Sequence, residues 1–384
     1  MDQNINKKEA DRKGGYAGGR ILWVDGLRGI GCICIFLHHF FLKYYPATYT
    51  GLLQDSRIRG AWDAKLASLP FFFLMNGNFW VCVYLLISGM VMAGKRTEAE
   101  PPYRVRYFFR SFMKRYLTLV LPVLISELLV FCGNRRFPEQ IIPAAGETLP
   151  LAQYLKSSFF SVFFLCDRSI IGSLWTMQPI FLGGLLILAI RLLMRNETVQ
   201  ILLLSGCVIL FLRFEYWWYF VPVLIGGICG ILGVQRSENR HWPVTFFCFL
   251  FGFFLAAYPS GMIPTGVYGR LPDGVHSVMG YHLLGAAFCM VGISSSRESK
   301  KLLSGKICQF LGKISYPFYV FHETAIKASN VTRPVLEKYI SSYSLLILLT
   351  GCITLCLVFT AAIAYDRLLA PRWRRIVGHL ERKI

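Results

Sequence analysis

Residues able to do chemistry occur where lipid-soluble sequence is expected. Trp23 to Tyr45 reads WVDGLRGIGCICIFLHHFFLKYY and carries Asp25, Arg28, His38 and His39 into an otherwise apolar run. A charge at mid-bilayer costs about 2.5–3.5 kcal/mol on insertion scales, so an ionisable group inside a span marks a watery cavity or a partner. Ten residues separate Arg28 from His39. At roughly 100° per residue, eleven steps return to within about 20° of the starting direction, so the two share one helix face. The rise of 1.5 Å per residue sets His39 about 16 Å beyond Arg28. That spacing suits a guanidinium gripping the anionic end of a long substrate and an imidazole reacting further in. His38 points away from the line and reads as a supporting residue. Asp25, three residues before Arg28, is expected to orient the guanidinium as an ion pair.

A neutral imidazole within reach of a hydroxyl proton contributes about 10²–10⁴-fold as a general base. Attack of that hydroxyl on an acyl carbonyl builds an oxyanion, which preorganised donors stabilise. Imidazole can also act as the nucleophile through an acyl-histidine, and the sequence leaves both routes open.

The elements that position these groups follow from composition. The chain has 384 residues, 55% of them hydrophobic and 16% charged, with mean hydropathy +0.49. That is too apolar for a soluble domain and implies an all-α, polytopic membrane bundle. The formal charge of +20 lies in short runs between apolar segments rather than on one face, so membrane orientation explains it and no nucleic-acid partner is expected. Residues 1–20 form a polar tail without a signal-peptide core, so the first apolar segment should be retained as an anchor. Residues 21–370 form the transmembrane domain and 371–384 a basic cytoplasmic tail. Twelve cysteines show neither zinc-ligand spacing nor a secreted framework, so they read as small buried hydrophobes with no metal site.

A bilayer core needs roughly 17–25 apolar residues per helix. On that ruler about ten spans run over 24–45, 71–93, 116–133, 173–194, 199–213, 216–234, 243–260, 278–294, 312–329 and 344–366. About two-thirds of the 41 Lys and Arg fall in the N-tail, the C-tail and the loops on their side, including a 94–115 loop with Lys95, Arg96, Arg104, Arg106, Arg110, Lys114 and Arg115. Both termini are therefore expected to be cytoplasmic. A sequon at Asn330 is then expected in an outer loop, whereas the one at Asn196 should be inert inside. His276 and His282 read as interfacial, and Tyr216 to Phe220 as an aromatic belt.

VDGLRGIGCICIFLHHF (24–40) resembles the opening helix of the acyltransferase family 3 membrane proteins, with its arginine and histidine ten residues apart. Four further stretches resemble family segments in order: CVYLLISGMVM (82–92), KRYLTLVLP (114–122), GSLWTMQPIFLGGLLI (172–187) and SYP followed by VFHETAI (315–326). Ile180 stands where the family pattern has a glutamate, and Thr118 where it has a third basic residue. The resemblance implies transfer of an acyl group, commonly acetyl, from acyl-coenzyme A to a hydroxyl of a carbohydrate or small metabolite, with no permanently bound cofactor. Carried over, His39 takes the catalytic position and Arg28 that of the paired arginine. Trp175, Thr176, Tyr316 and His322 fall on other recurrent positions.

Oxyanion donors would come from Ser173, Trp175, Tyr316 or His322, with Glu323 beside His322 as a pair joining helices. Depth along their spans would let His39 and His322 face each other. The expected site is a cleft in which coenzyme A enters from the cytoplasm, its phosphates held by Arg28, Arg110, Lys114 and Arg115 and its pantetheine reaching His39. The rival readings are a sugar or metabolite exporter whose Arg and His only line a pathway, and N-acylation of an amino sugar.

Overall fold

The computed structural model describes residues 16–17, 20–67, 69, 72–94, 103–141, 149–236, 242–274 and 276–383. Lys95 and Arg96 of the expected basic loop lie outside the described residues, as does nearly all of the 1–20 tail. The fold is all-α. Among the described residues the only sheet is one antiparallel pair of two-residue strands, β1 (Tyr16–Ala17) and β2 (Arg20–Ile21).

Each expected span is helical. Among the described residues five helices are long and apolar enough to cross a membrane: α1 (Leu22–Tyr44), α3 (Arg104–Arg136), α4 (Gly172–Leu193), α8 (Ser277–Ser295) and α10 (Tyr343–Arg382). Four shorter apolar helices stand between them: α2 (Gly77–Ala93), α5 (Glu197–Phe211), α6 (Trp218–Ile231) and α7 (Trp242–Ala256). The long α9 (Lys306–Glu337) completes the set. Aromatic and aliphatic side chains stay exposed along several of them, including Phe246, Phe247 and Leu250 of α7, Ile209 of α5 and Leu348 of α10. Such a surface suits lipid rather than water.

The chain divides into two compact units, one of residues 1–90 and 229–316, the other of 91–228 and 317–384. In the first unit the glycines of the DGLRG stretch explain the placement of its arginine. A Cβ on Gly26 would stand 1.9 Å from the Leu303 carbonyl oxygen, and one on Gly312 of α9 only 2.3 Å from the Asp25 carbonyl oxygen. The backbones of α1 and the start of α9 therefore touch, as small residues allow within membranes. Trp23, fully buried, donates from its indole to the Gln235 carbonyl at 3.3 Å.

In the second unit α4 is built of three pieces, a 3₁₀ turn Gly172–Thr176, a π turn Pro179–Gly183 and an α-helix Gly184–Leu193. Phe181 on the π turn is fully buried between Phe112, Tyr116, Phe163 and Phe164. The indole of Trp373 on α10 donates to the Leu117 carbonyl of α3 at 2.7 Å.

Four sequence expectations need correction. Residues 104–115 are the first three turns of α3, not a loop, because Arg and Lys are good helix formers and hydropathy reports bilayer depth rather than helix ends. For the same reason 370–383 continues as helix through a π turn at Tyr365–Leu369 instead of forming a tail. Asn330 lies within α9, its amide donating to the Gln140 carbonyl at 2.6 Å, so the sequon is not in a loop. Cys132, Cys352 and Cys356 are exposed, whereas Cys32, Cys34, Cys82, Cys248 and Cys289 are buried.

Candidate active site

In the first unit α1 runs unbroken from Leu22 to Tyr44 with no proline, so the eleven-residue register between Arg28 and His39 holds. Three turns, about 16 Å, separate them. Both are half-buried. Asp25 serves two arginines. Its Oδ2 accepts from Arg20 Nη2 at 2.7 Å and Nε at 3.0 Å, while its Oδ1 lies 3.7 Å from Arg28 Nη1. The expected Asp25–Arg28 pair is thus present, but the tighter contact is with Arg20, a residue the spacing did not single out. Tyr84 steadies the same turn by donating to the Arg28 carbonyl at 2.5 Å.

The histidine pair diverges as adjacent helical positions must. The two rings meet edge-on with centroids 5.1 Å apart. His38 Nδ1 sits 2.9 Å from the Met75 carbonyl oxygen, which can only accept, so Nδ1 carries the proton and Nε2 a lone pair. Tyr316, half-buried, closes this unit's share of α9.

His282 is fully buried. Its Nε2 lies 2.8 Å from both the Tyr258 carbonyl oxygen and Asn76 Nδ2. Asn76 donates to the Ala256 and Tyr258 carbonyls at 3.1 Å each and accepts from Ser260 Oγ at 2.8 Å. This cluster escaped sequence reasoning because its members lie about two hundred positions apart. Tyr49 donates to the Ser260 carbonyl at 3.3 Å, and burial raises its phenol pKa above the ordinary value, so it remains a neutral hydroxyl.

In the second unit Glu323 braces the turn that carries Ser173, Trp175 and Thr176. Its two oxygens accept from the Gly172 and Ser173 backbone N–H groups at 2.9 and 2.7 Å. Tyr319 adds a second brace, its hydroxyl donating to the Ser173 carbonyl at 2.8 Å and hydrogen-bonded to Thr176 Oγ1 at 2.8 Å. Trp175 packs on Tyr219 with centroids 4.5 Å apart. Ser173 Oγ is buried and has no hydrogen-bond partner among the described residues. His322 is fully buried with Nδ1 against the Tyr319 carbonyl oxygen. Glu323 therefore does join two elements, through backbone amides rather than through the neighbouring histidine.

The basic residues of α3 stand in different settings. Lys114 is exposed and paired with Glu381 at 2.9 Å. Arg115 Nη2 donates to the Ile180 carbonyl at 2.7 Å, and its Nη1 lies 2.7 Å from Met92 Sδ. Arg110 is half-buried, its Nε without a partner among the described residues. Thr118, in place of a basic residue, bonds back to the Lys114 carbonyl at 2.6 Å. One intramembrane carboxylate went unread in the sequence. Glu127 of α3, 1% exposed, accepts from Ser157 Oγ at 2.7 Å and Ser158 Oγ at 2.6 Å. Its signal was a lone acid in an apolar run.

A profile described as an acyltransferase domain, acyltransferase family 3, matches residues 21–365, nearly the whole chain. Comparison with curated proteins and with solved structures returned no match. With apolar helices and that match over most of its length, the chain belongs to acyltransferase family 3 and is a membrane acyltransferase.

Proposed function

We propose that the chain transfers an acyl group, acetyl in the simplest case, from acyl-coenzyme A to a hydroxyl of a carbohydrate or small metabolite, with His39 as general base. The observation that carries this reading is the unbroken α1, which holds an arginine and a histidine three turns apart, both half-buried, in an acyltransferase. The neutral His39 imidazole takes the proton of the acceptor hydroxyl as its oxygen attacks the thioester carbonyl. The tetrahedral oxyanion then collapses, the C–S bond breaks, and the imidazolium returns the proton to the departing thiolate. The products are an ester and the free thiol of coenzyme A.

Arg28 supplies a cation for the anionic end of the donor. The same role for Arg110, Lys114 and Arg115 rests on the sequence, as does the cytoplasmic placement of both termini. The reading of Ser173 as an oxyanion donor likewise rests on the sequence.

The test uses the full chain purified in detergent. Release of coenzyme A thiol from acetyl-coenzyme A in the presence of acceptor should disappear in His39→Ala while the melting temperature stays within a few degrees. Unchanged turnover in that variant ends the assignment.

A further inference from the structure

The last turns of α10 gather positive charge that the acyl-transfer reading leaves unused. From Asp366 to Lys383 the chain carries five arginines and one lysine against two acids, Asp366 and Glu381. Both acids are turned to particular partners. Glu381 lies 2.9 Å from Lys114 of α3, and the buried Asp366 lies 3.7 Å from Arg374. Arg367, Arg372, Arg375 and Arg382 are exposed and form no ion pair among the described residues.

Packing decides which way this charge points. Trp373 donates its indole to the Leu117 carbonyl of α3, and Ala370 and Val377 are buried, so one stripe of the helix is covered. At roughly 100° per residue Ala370, Trp373 and Val377 fall within about 60° of one another, and Arg372, Arg375 and Arg382 within about 40° of the opposite direction. The arginines therefore face away from α3.

Their depth follows from length. Tyr343–Ala364, 22 residues, rises about 33 Å, close to the thickness of a bilayer core. Arg367 comes directly after it, and Arg372 and Arg375 follow within about 12 Å, where headgroups begin. Trp373, between them, is of the residue type that favours this boundary.

The apolar neighbours separate a lipid from a soluble anion. Leu368, Leu369, Ile376 and Leu380 are exposed among the arginines. A nucleotide phosphate has nothing to offer them. A phospholipid brings a phosphate for the guanidinium groups and acyl chains for the leucines and isoleucine, as at other amphipathic helices of membrane surfaces. A zwitterionic headgroup carries its own cation beside the phosphate, so charge complementarity favours a lipid of net negative charge.

We propose that the end of α10 is a docking surface for anionic phospholipids, with Arg372 and Arg375 taking the headgroup phosphate. No step of acyl transfer enters it, and its test needs neither donor nor acceptor. The full chain in detergent is incubated with equal amounts of phosphatidylglycerol and phosphatidylcholine of the same acyl chains. Native mass spectrometry reads the ratio of the two lipids retained.

Phosphatidylglycerol should dominate. A basic residue near an anionic surface contributes roughly fivefold, so Arg372→Gln with Arg375→Gln should lower the ratio by about 25-fold. Salt at about 1 M, which cuts the screening length to about 3 Å, should lower it in the wild type. Lys156→Gln with Lys338→Gln removes the same charge near the other end of α3, where Ser157 bonds Glu127 and Asn330 bonds Gln140, and should leave the ratio as it was. If the arginine variant does not fold, the salt response of the wild type and its response to adenosine 3′,5′-bisphosphate, the anionic end of coenzyme A, carry the test. That nucleotide in excess should leave the bound lipid in place. Equal retention of the two lipids, a ratio that neither the arginine substitutions nor salt changes, or an equal loss in the lysine variant overturns the proposal. Displacement of phosphatidylglycerol by the nucleotide also overturns it and gives the surface to the donor.

Discussion

Replacing Glu323 by glutamine, ordinarily a mild change, should open the turn that carries Ser173 and Trp175. The reason is the identity of the partners. Glu323 accepts from two backbone N–H groups, those of Gly172 and Ser173, and a backbone amide can only donate. Glutamine keeps one carbonyl oxygen for one of them and turns an NH₂ toward the other. A hydrogen bond to a charged group contributes about 1.5–3 kcal/mol, and a buried N–H left without an acceptor costs about 1–3 kcal/mol. A neutral bond retained on one side offsets part of this, so the closed turn should lose about 2–4 kcal/mol. In the equilibrium between closed and open turn that is about 30-fold to 1,000-fold.

Tyr319 still braces the far end of the turn, and Phe181 stays buried, so the change should remain local. Hydrogen exchange of the peptide spanning 167–180 reads it directly, with Gly172 and Ser173 exchanging at least about 30-fold faster by the same arithmetic. Turnover should fall with it while the global melting temperature moves by only a few degrees. Lys327, 3.8 Å from Glu323 and partly exposed, forms the kind of ion pair that contributes about 0–1 kcal/mol. Lys327→Met should therefore leave exchange near wild type. Equal exchange in Glu323→Gln and wild type, or equal effects of the two substitutions, would refute the reasoning.

Glu127 should behave in the opposite way, because its partners are the hydroxyls of Ser157 and Ser158, which can reverse donor and acceptor roles. Glu127→Gln should cost about 1 kcal/mol, while Glu127→Leu, which strands two buried hydroxyls, should cost about 2–4 kcal/mol. Thermal unfolding in detergent separates them, and equal shifts would contradict the assignment. Gly312→Val would drive a side chain into the Asp25 carbonyl 2.3 Å away, so it should lower stability by at least about 1–3 kcal/mol and displace the turn bearing Arg28, with turnover lost in the fraction that still folds. Lys114→Ala removes only an exposed pair with Glu381, so its melting temperature should hardly move. If Lys114 binds donor phosphates, its KM for acetyl-coenzyme A should rise severalfold, and an unchanged KM would remove it from donor binding.

The helices were legible because apolar runs of bilayer length leave little choice of secondary structure. Their ends were not. Arg104 to Arg115 and Arg372 to Arg382 are helical in the structure although their polarity reads as loop, since a charged helix leaving the membrane keeps its hydrogen bonds and changes only its solvent. The Arg28–His39 register was legible for a related reason, a fixed advance per residue inside one helix. By contrast, the walls around His38 come from 48–49, 73–76 and 257–262, and no local pattern announces them. The histidine doublet itself held a clue. Neighbours on a helix diverge by about 100°, so two adjacent imidazoles serve two different surroundings.

Ile180 shows how an apparent loss in sequence can be made good by backbone. Where the family pattern has a glutamate, this chain has an aliphatic residue, and read residue by residue the basic partner has lost its carboxylate. In the structure the π turn at Pro179–Gly183 widens the helix there, and the Ile180 carbonyl accepts from Arg115 Nη2 at 2.7 Å. At this position Arg115 meets the partial charge of a carbonyl where the family pattern has a full carboxylate. Ile180→Glu would add a negative charge on the same turn. If Arg115 attracts an anionic donor, the variant should bind acetyl-coenzyme A more weakly. If Arg115 only ties α3 to α4, the added ion pair should leave KM unchanged and, at most, raise the melting temperature. The KM of this one variant decides between the two roles.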